Sequence, residues 1–182
     1  MAERLNIKQS LEKVMRVLQH RLRKKLESQG HNLTGRLAKS LEYEVVFENG
    51  AFVGRMGGED YGLFLEFGIR PEKIPYSPGR GRGGRSQYIQ GLVKFWEKKG
   101  LNEREALSAA FATANVHKRE GIPTRASYQF SRTGTRTGFI TEVLNESIFE
   151  IQGLMEDEFE GVGLEIQLGE MKNIDLLINV TI

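Results

Sequence analysis

The chain has 182 residues, 39% of them hydrophobic and 27% charged, with a net charge of +2 and no cysteine. That length and balance fit one packed domain carrying an insertion and argue against wholesale disorder; without cysteine there is no disulfide, thiolate metal site or thiol nucleophile. No apolar run reaches the length of a membrane span, and the charged, amphipathic start MAERLNIKQSLEKV lacks the apolar core of a signal peptide.

The charge is unevenly spread. Residues 1–40 hold ten Lys/Arg and three Asp/Glu, residues 41–140 fifteen and eleven, and residues 141–182 one and ten. The three segments therefore carry +7, +4 and −9, an asymmetry that speaks to association rather than to fold.

In chain order, the first thirty residues predict one amphipathic helix. Leu11, Val14, Leu18, Leu22 and Leu26 recur at three and four. Arg21, Arg23, Lys24 and Lys25 crowd its last turns, where cations suit the negative end of the dipole without any partner, and Gly30 is a natural stop. LTGRLAKSL predicts a short second helix with Thr34 as its cap. EYEVVFE, NG and AFVGRM read as a β-hairpin. EDYGLFLEFGIRP fits either an alternating strand or a single helical turn ended by Gly68, and the turn is the preferred reading.

The segment YSPGRGRGGRSQY comes next, then two helices, SQYIQGLVKFWEKKG and NEREALSAAFATANVHKREG, joined near Gly100 and Leu101. Asn102 with Glu105 has the form of a capping box. IPTRASYQFSRTGTRTG reads as an irregular arm. A long helix is expected from about 138 to 160, with Ile140, Leu144, Ile148, Ile151, Met155 and Phe159 on one face, ended by Gly161 and Gly163. GLEIQLGE and IDLLINVTI predict two closing strands. The order of elements places the chain in the α+β class. Residues 1–182 are expected to form a single domain, with a Gly/Arg loop, two helices and an arm inserted over 70–133.

No catalytic, cofactor or metal motif stands out. His20, His31 and His117 are far apart and lack metal-ligand spacing. Glu156, Asp157, Glu158 and Glu160 lack the glycine-punctuated pattern of a calcium loop. GRGRGG matches no phosphate-binding loop, and there is no G-x-S-x-G. The weight therefore falls on binding or structure rather than on an enzyme.

LTGRLAKSLEYEVV followed by DYGLFLEFGIRP resembles the tail-completion, or neck, proteins of tailed bacteriophages. Leu33, Thr34, Gly35, Leu37 and Ser40 match that family's first motif; Tyr61, Phe64, Glu66, Phe67 and Gly68 match its second; TGFITEVLNESI stands at its arm-to-helix junction. The resemblance covers 1–70 and 134–182. Gly62 and Ile69 depart from the pattern, and about 65 residues separate Gly68 from the final helix where the family has a short arm. The resemblance implies a non-enzymatic virion protein. It would form a homo-oligomeric ring at the head–tail junction, assembled in the bacterial host cytoplasm. The ring would link portal or adaptor to the tail, with genomic DNA passing through its lumen and no membrane involved.

Within that frame Tyr61, Phe64 and Phe67 are expected to be buried packing residues, and Glu66 to meet solvent, a backbone amide or an arginine. Glu156, Asp157, Glu158 and Glu160 would crowd the unfavourable end of the last helix, which points to a neighbouring subunit's basic surface. Arg80, Arg82 and Arg85 suit carboxylate or phosphate partners. The glycine-rich loop that carries them could grip a neighbouring ring protein, face DNA in the lumen, or be a plain surface loop; the assembly arm is the preferred reading. The alternative function is an RNA- or DNA-binding protein using residues 70–85 and 125–136.

Overall fold

The computed structural model describes residues 2–79, 86–156, 163–168 and 176–181. The fold is α+β. The chain forms two compact units, one from Met1–Phe67 with Phe130–Ile182, the other from Gly68–Gln129.

In the first unit, helix α1 (Ala2–Ser28) is followed by the single-turn helix α2 (Arg36–Ser40). A hairpin of β1 (Glu42–Glu48) and β2 (Ala51–Gly57) comes next. Its turn is the expected Asn49–Gly50, both residues at positive φ. Helix α3 (Gly62–Phe67) closes the first segment. The second segment returns as helix α6 (Phe139–Glu156), strand β3 (Gly163–Leu168) and strand β4 (Leu176–Thr181). The strands form one antiparallel sheet in the order β1-β2-β4-β3. Residues Leu176–Thr181 pair with Met56–Ala51, so the last strand completes a sheet begun more than a hundred residues earlier.

The stripe on α1 is the core of this unit. Leu11, Val14, Leu18, Leu22 and Leu26 are buried with Phe52 and Met56 of β2 and with Phe139, Ile140, Val143 and Ile151 of α6. The buried face of α6 is centred on 140, 143, 147 and 151, so Val143 and Ser147 belong to it as well. The Met155 and Phe159 side chains and Gly161 lie outside the described residues, and Gly163 opens β3.

The basic end of α1 has partners within its own unit. Arg21 donates to Ser147 Oγ at 2.7 Å and pairs with Glu150. Lys25 pairs with Glu146 at 2.7 Å and Glu142 at 3.1 Å. Burial works against the Lys25 charge, but its bonds to Glu146 and Glu142 outweigh this and raise its pKa above the ordinary lysine value. Arg23 donates to the Ala38 and Leu41 carbonyls. The asymmetry read as a signal between subunits is thus partly spent inside the chain, joining α1 to α6.

The arm before α6 is tied to the end of α1. Arg132 N donates to Ser28 O at 2.7 Å. Gln29 Nε2 donates to Thr137 O at 3.0 Å, and His31 Nε2 lies 2.9 Å from Arg136 O. Arg136 is turned inward toward Gly30 O and His31 Nδ1, and burial lowers its pKa. Its guanidinium is thus turned to its own unit at the end of α1.

The second unit has a core of its own. Helix α4 (Gln87–Lys98) begins at Ser86, whose side chain accepts from Ile89 N. Helix α5 (Glu103–Glu120) starts with the expected reciprocal capping box of Asn102 and Glu105. Ile89, Ala110 and Ala114 are buried between them, with Leu92, Val93, Trp96 and Phe111 around. This unit, Gly68–Gln129, covers most of the segment read as an insertion over 70–133.

The two ends of this unit meet. Ile69 N donates to Ile122 O at 2.7 Å, and Ile122 N to Ile69 O at 2.8 Å. The flanking glycines make this approach feasible. Gly68 has φ +71, and a Cβ there would lie 2.5 Å from Ile122 O; Gly121 has φ +82, and its Cβ would lie 2.5 Å from Ile69 O.

Both units hold a histidine that favours its neutral form. Burial pulls the His31 and His117 pKa values below the ordinary imidazole range. Tyr88 OH lies 2.6 Å from His117 Nδ1, and burial pushes the Tyr88 pKa up to about 12. As pH falls, the unfolded chain therefore takes up protons before the folded one does. The resulting stability is present above about pH 6.5 and is lost as pH falls below that value. Urea midpoints should drop progressively on acidification from neutral pH. His31→Gln should flatten the part of that dependence that belongs to the first unit.

Candidate assembly site

The matched motif residues, apart from Gly68, which opens the second unit, gather on the first unit around α2, α3 and the start of α6. Leu33 and Thr34 lie in the loop before α2, with Leu33 exposed. Thr34 is not the helix cap: Gly35 takes that position at φ 64 with no side-chain bond. Thr34 Oγ1 instead accepts weakly from Arg36 N at 3.4 Å. The left-handed backbone of Gly35 lets the chain turn directly into Arg36, which displaces the cap that the sequence pattern suggests.

Two contacts join this turn to the second motif. Arg36 pairs with Glu59 at 2.8 Å, and Glu59 N donates to Ser40 Oγ at 3.1 Å. Burial chiefly, and Glu59 nearby, raise the Tyr61 pKa.

Glu66 is the keystone of the group. It is only 4% exposed. Its Oε2 accepts from Ile140 N at 2.7 Å, and its Oε1 accepts from Thr141 N at 3.1 Å and Thr141 Oγ1 at 2.5 Å. Its own carbonyl accepts from Gly138 N at 2.9 Å. The side chain thus satisfies amides in the first turn of α6 and places negative charge at the positive end of that helix dipole. Of the partners anticipated for Glu66, the structure supplies the backbone amides.

The aromatics around it contradict the expectation of burial. Tyr61 is 38%, Phe64 54% and Phe67 69% exposed. A six-residue helix has one inward face, and on α3 Gly62 and Glu66 fill it while Leu63 and Leu65 pack on the core from the flanks. Positions 61, 64 and 67, three apart, are left pointing out. The site is therefore an outward row of aromatic surface on a helix whose other side is fixed by a buried carboxylate.

Beside it lies an open groove of about 590 Å³ lined by Glu42, Glu44, Arg55, Glu59 and Asp60 among others. Its acids are partly neutralised, since Arg55 pairs with Glu44 and Glu48 and Arg36 with Glu59. Among the described residues no three His, Asp or Glu are grouped to hold a metal ion, and no helix is long and apolar enough to cross a membrane.

Arg80, Arg82, Arg85, Asp157, Glu158 and Glu160 lie outside the described residues, and Glu156 is described only as the last residue of α6. Set against models of protein families, curated proteins and solved structures, the chain matches none. The class that fold and site define is an α+β protein with an exposed aromatic row on a helix tied to α6 by Glu66.

Proposed function

We propose that the chain is a structural, non-enzymatic subunit of a tailed-phage head–tail junction, a neck or tail-completion protein. It would assemble as a ring that links portal or adaptor to the tail around the DNA channel. The observation that carries this reading is the convergence of both motifs on one surface. Residues distant in sequence meet around Glu66, while Tyr61, Phe64 and Phe67 stay exposed. Three outward aromatics in a row are costly to leave in water and suit burial against a partner. A repeated heterologous contact of this kind closes into a ring. The boundaries add support, since the segments that carry the resemblance, 1–70 and 134–182, nearly coincide with the first unit, 1–67 and 130–182.

Native mass measurement of the full chain, or symmetry in images of assembled particles, tests the reading. A closed ring is expected; a strictly monomeric chain that never enters particles would refute it. Phe64→Ala should change stability by no more than about 0.5 kcal/mol, as for other surface positions, yet reduce the ring population. Loss of stability with assembly intact would show the aromatic to be a packing residue.

A further inference from the structure

The second unit concentrates positive charge. Gly68–Gln129 holds twelve Lys/Arg against five Asp/Glu, whereas the rest of the chain holds fourteen against nineteen. Three of the twelve, Arg80, Arg82 and Arg85, lie outside the described residues; Lys94 and Lys98 are among those within them.

Helix α4 shows where the charge is displayed. Its apolar side is taken up by the pairing with α5 around Ile89. Gln87, Gln90, Gly91, Lys94 and Lys98 are exposed, and their spacing puts them on one face. Glu97, seven residues after Gln90 and three after Lys94, borders that face as its one carboxylate. Among the described residues neither Lys94 nor Lys98 has an ion-pair partner, whereas Arg21 and Arg36 of the first unit have one each and Lys25 and Arg55 two each. At Gly91, midway along the face, no atom lies within 4 Å of where a Cβ would stand, so the backbone is open to close approach.

We propose that this outward face of α4 contacts the phosphate backbone of duplex DNA. Lysine is a flexible point charge that meets phosphate without reading bases, and the Gln87 amide can donate to a phosphate oxygen. The face carries no row of aromatic rings on which unpaired bases could stack, which disfavours single strands. Two lysines give a contact that is weak and salt-sensitive, compatible with DNA that must move past. The choice of duplex DNA among polyanions rests on the proposed neck function; the basic face itself does not.

The test measures binding of the full chain to a short duplex of random sequence between about 50 and 200 mM salt. The Lys94→Gln/Lys98→Gln variant should have a log affinity against log salt slope shallower by about 2, near 0.9 per lost phosphate contact. Lys94→Arg/Lys98→Arg should keep the slope. Lys13→Gln/Lys24→Gln on α1, an equal loss of charge elsewhere, should leave it unchanged. An equal effect of the two glutamine pairs, absence of salt-dependent binding, or tighter binding to single-stranded RNA or polyglutamate would overturn the inference. Native mass separates the two proposals. A ring without DNA binding removes this inference alone; duplex binding by a strictly monomeric chain removes the neck reading and leaves the contact face standing.

Discussion

Glu66→Ala should destabilise the first unit by about 2–4 kcal/mol, since a buried N–H left without its acceptor costs about 1–3 kcal/mol and the other bonds to the carboxylate are lost with it. The carboxylate accepts from Ile140 N, Thr141 N and Thr141 Oγ1. Alanine would leave Ile140 N without an acceptor beside a core that includes Phe139 and Ile140, and would remove the negative charge from the start of α6. Glu66→Gln keeps one carbonyl oxygen and should recover part of the loss. Urea denaturation followed by circular dichroism measures both. A midpoint unchanged in Glu66→Ala would mean that water replaces the carboxylate and that α6 does not depend on it.

The second large effect is expected at Gly68. Alanine there bears the left-handed backbone cost of about 1–2 kcal/mol, and its Cβ would stand 2.5 Å from Ile122 O. Relieving that clash means shifting one or both hydrogen bonds of the Ile69–Ile122 bridge, each worth about 1 kcal/mol. The total loss should be about 2–4 kcal/mol, read as a lower midpoint and faster hydrogen exchange at the Ile69 and Ile122 amides. Gly100 is the control: it has φ +95 but nothing within 4 Å of a Cβ position. Gly100→Ala should therefore show the backbone cost alone, and equal effects at the two sites would dismiss the steric part of the argument.

What could be read from the sequence was local. The stripe Leu11 to Leu26 specified α1, Asn49–Gly50 specified the hairpin, and Asn102 with Glu105 specified the start of α5, because each signal lies within one element. The role of Glu66 was not legible in the same way. Its acceptors serve Ile140, 74 positions away in the chain, and no periodicity reports a partner at that distance. The exposure of Phe64 and Phe67 was misjudged for a related reason. Apolar character suggests burial, but on so short a helix the inward positions were already occupied by Gly62 and Glu66. Charge was illegible for the same reason: the end of α1 needs no partner for its cations as a helix, yet α6 brings Glu142, Glu146 and Glu150 against Arg21 and Lys25. On α6 the large apolar side chains Leu144 and Ile148 mark a stripe one residue to the side of the buried positions Val143 and Ser147, which periodicity alone does not separate.

The Ile69–Ile122 bridge has a consequence for how this chain could change over time. The backbone leaves and returns through residues that already touch, so everything between them closes on itself as a loop with a sealed base. Such a segment can be lengthened, exchanged for another or cut out by joining two adjacent points, with no strand or helix of the first unit asked to move. The surface carried by the second unit is in this sense a replaceable cartridge, free to diversify while the frame around Glu66 stays as it is.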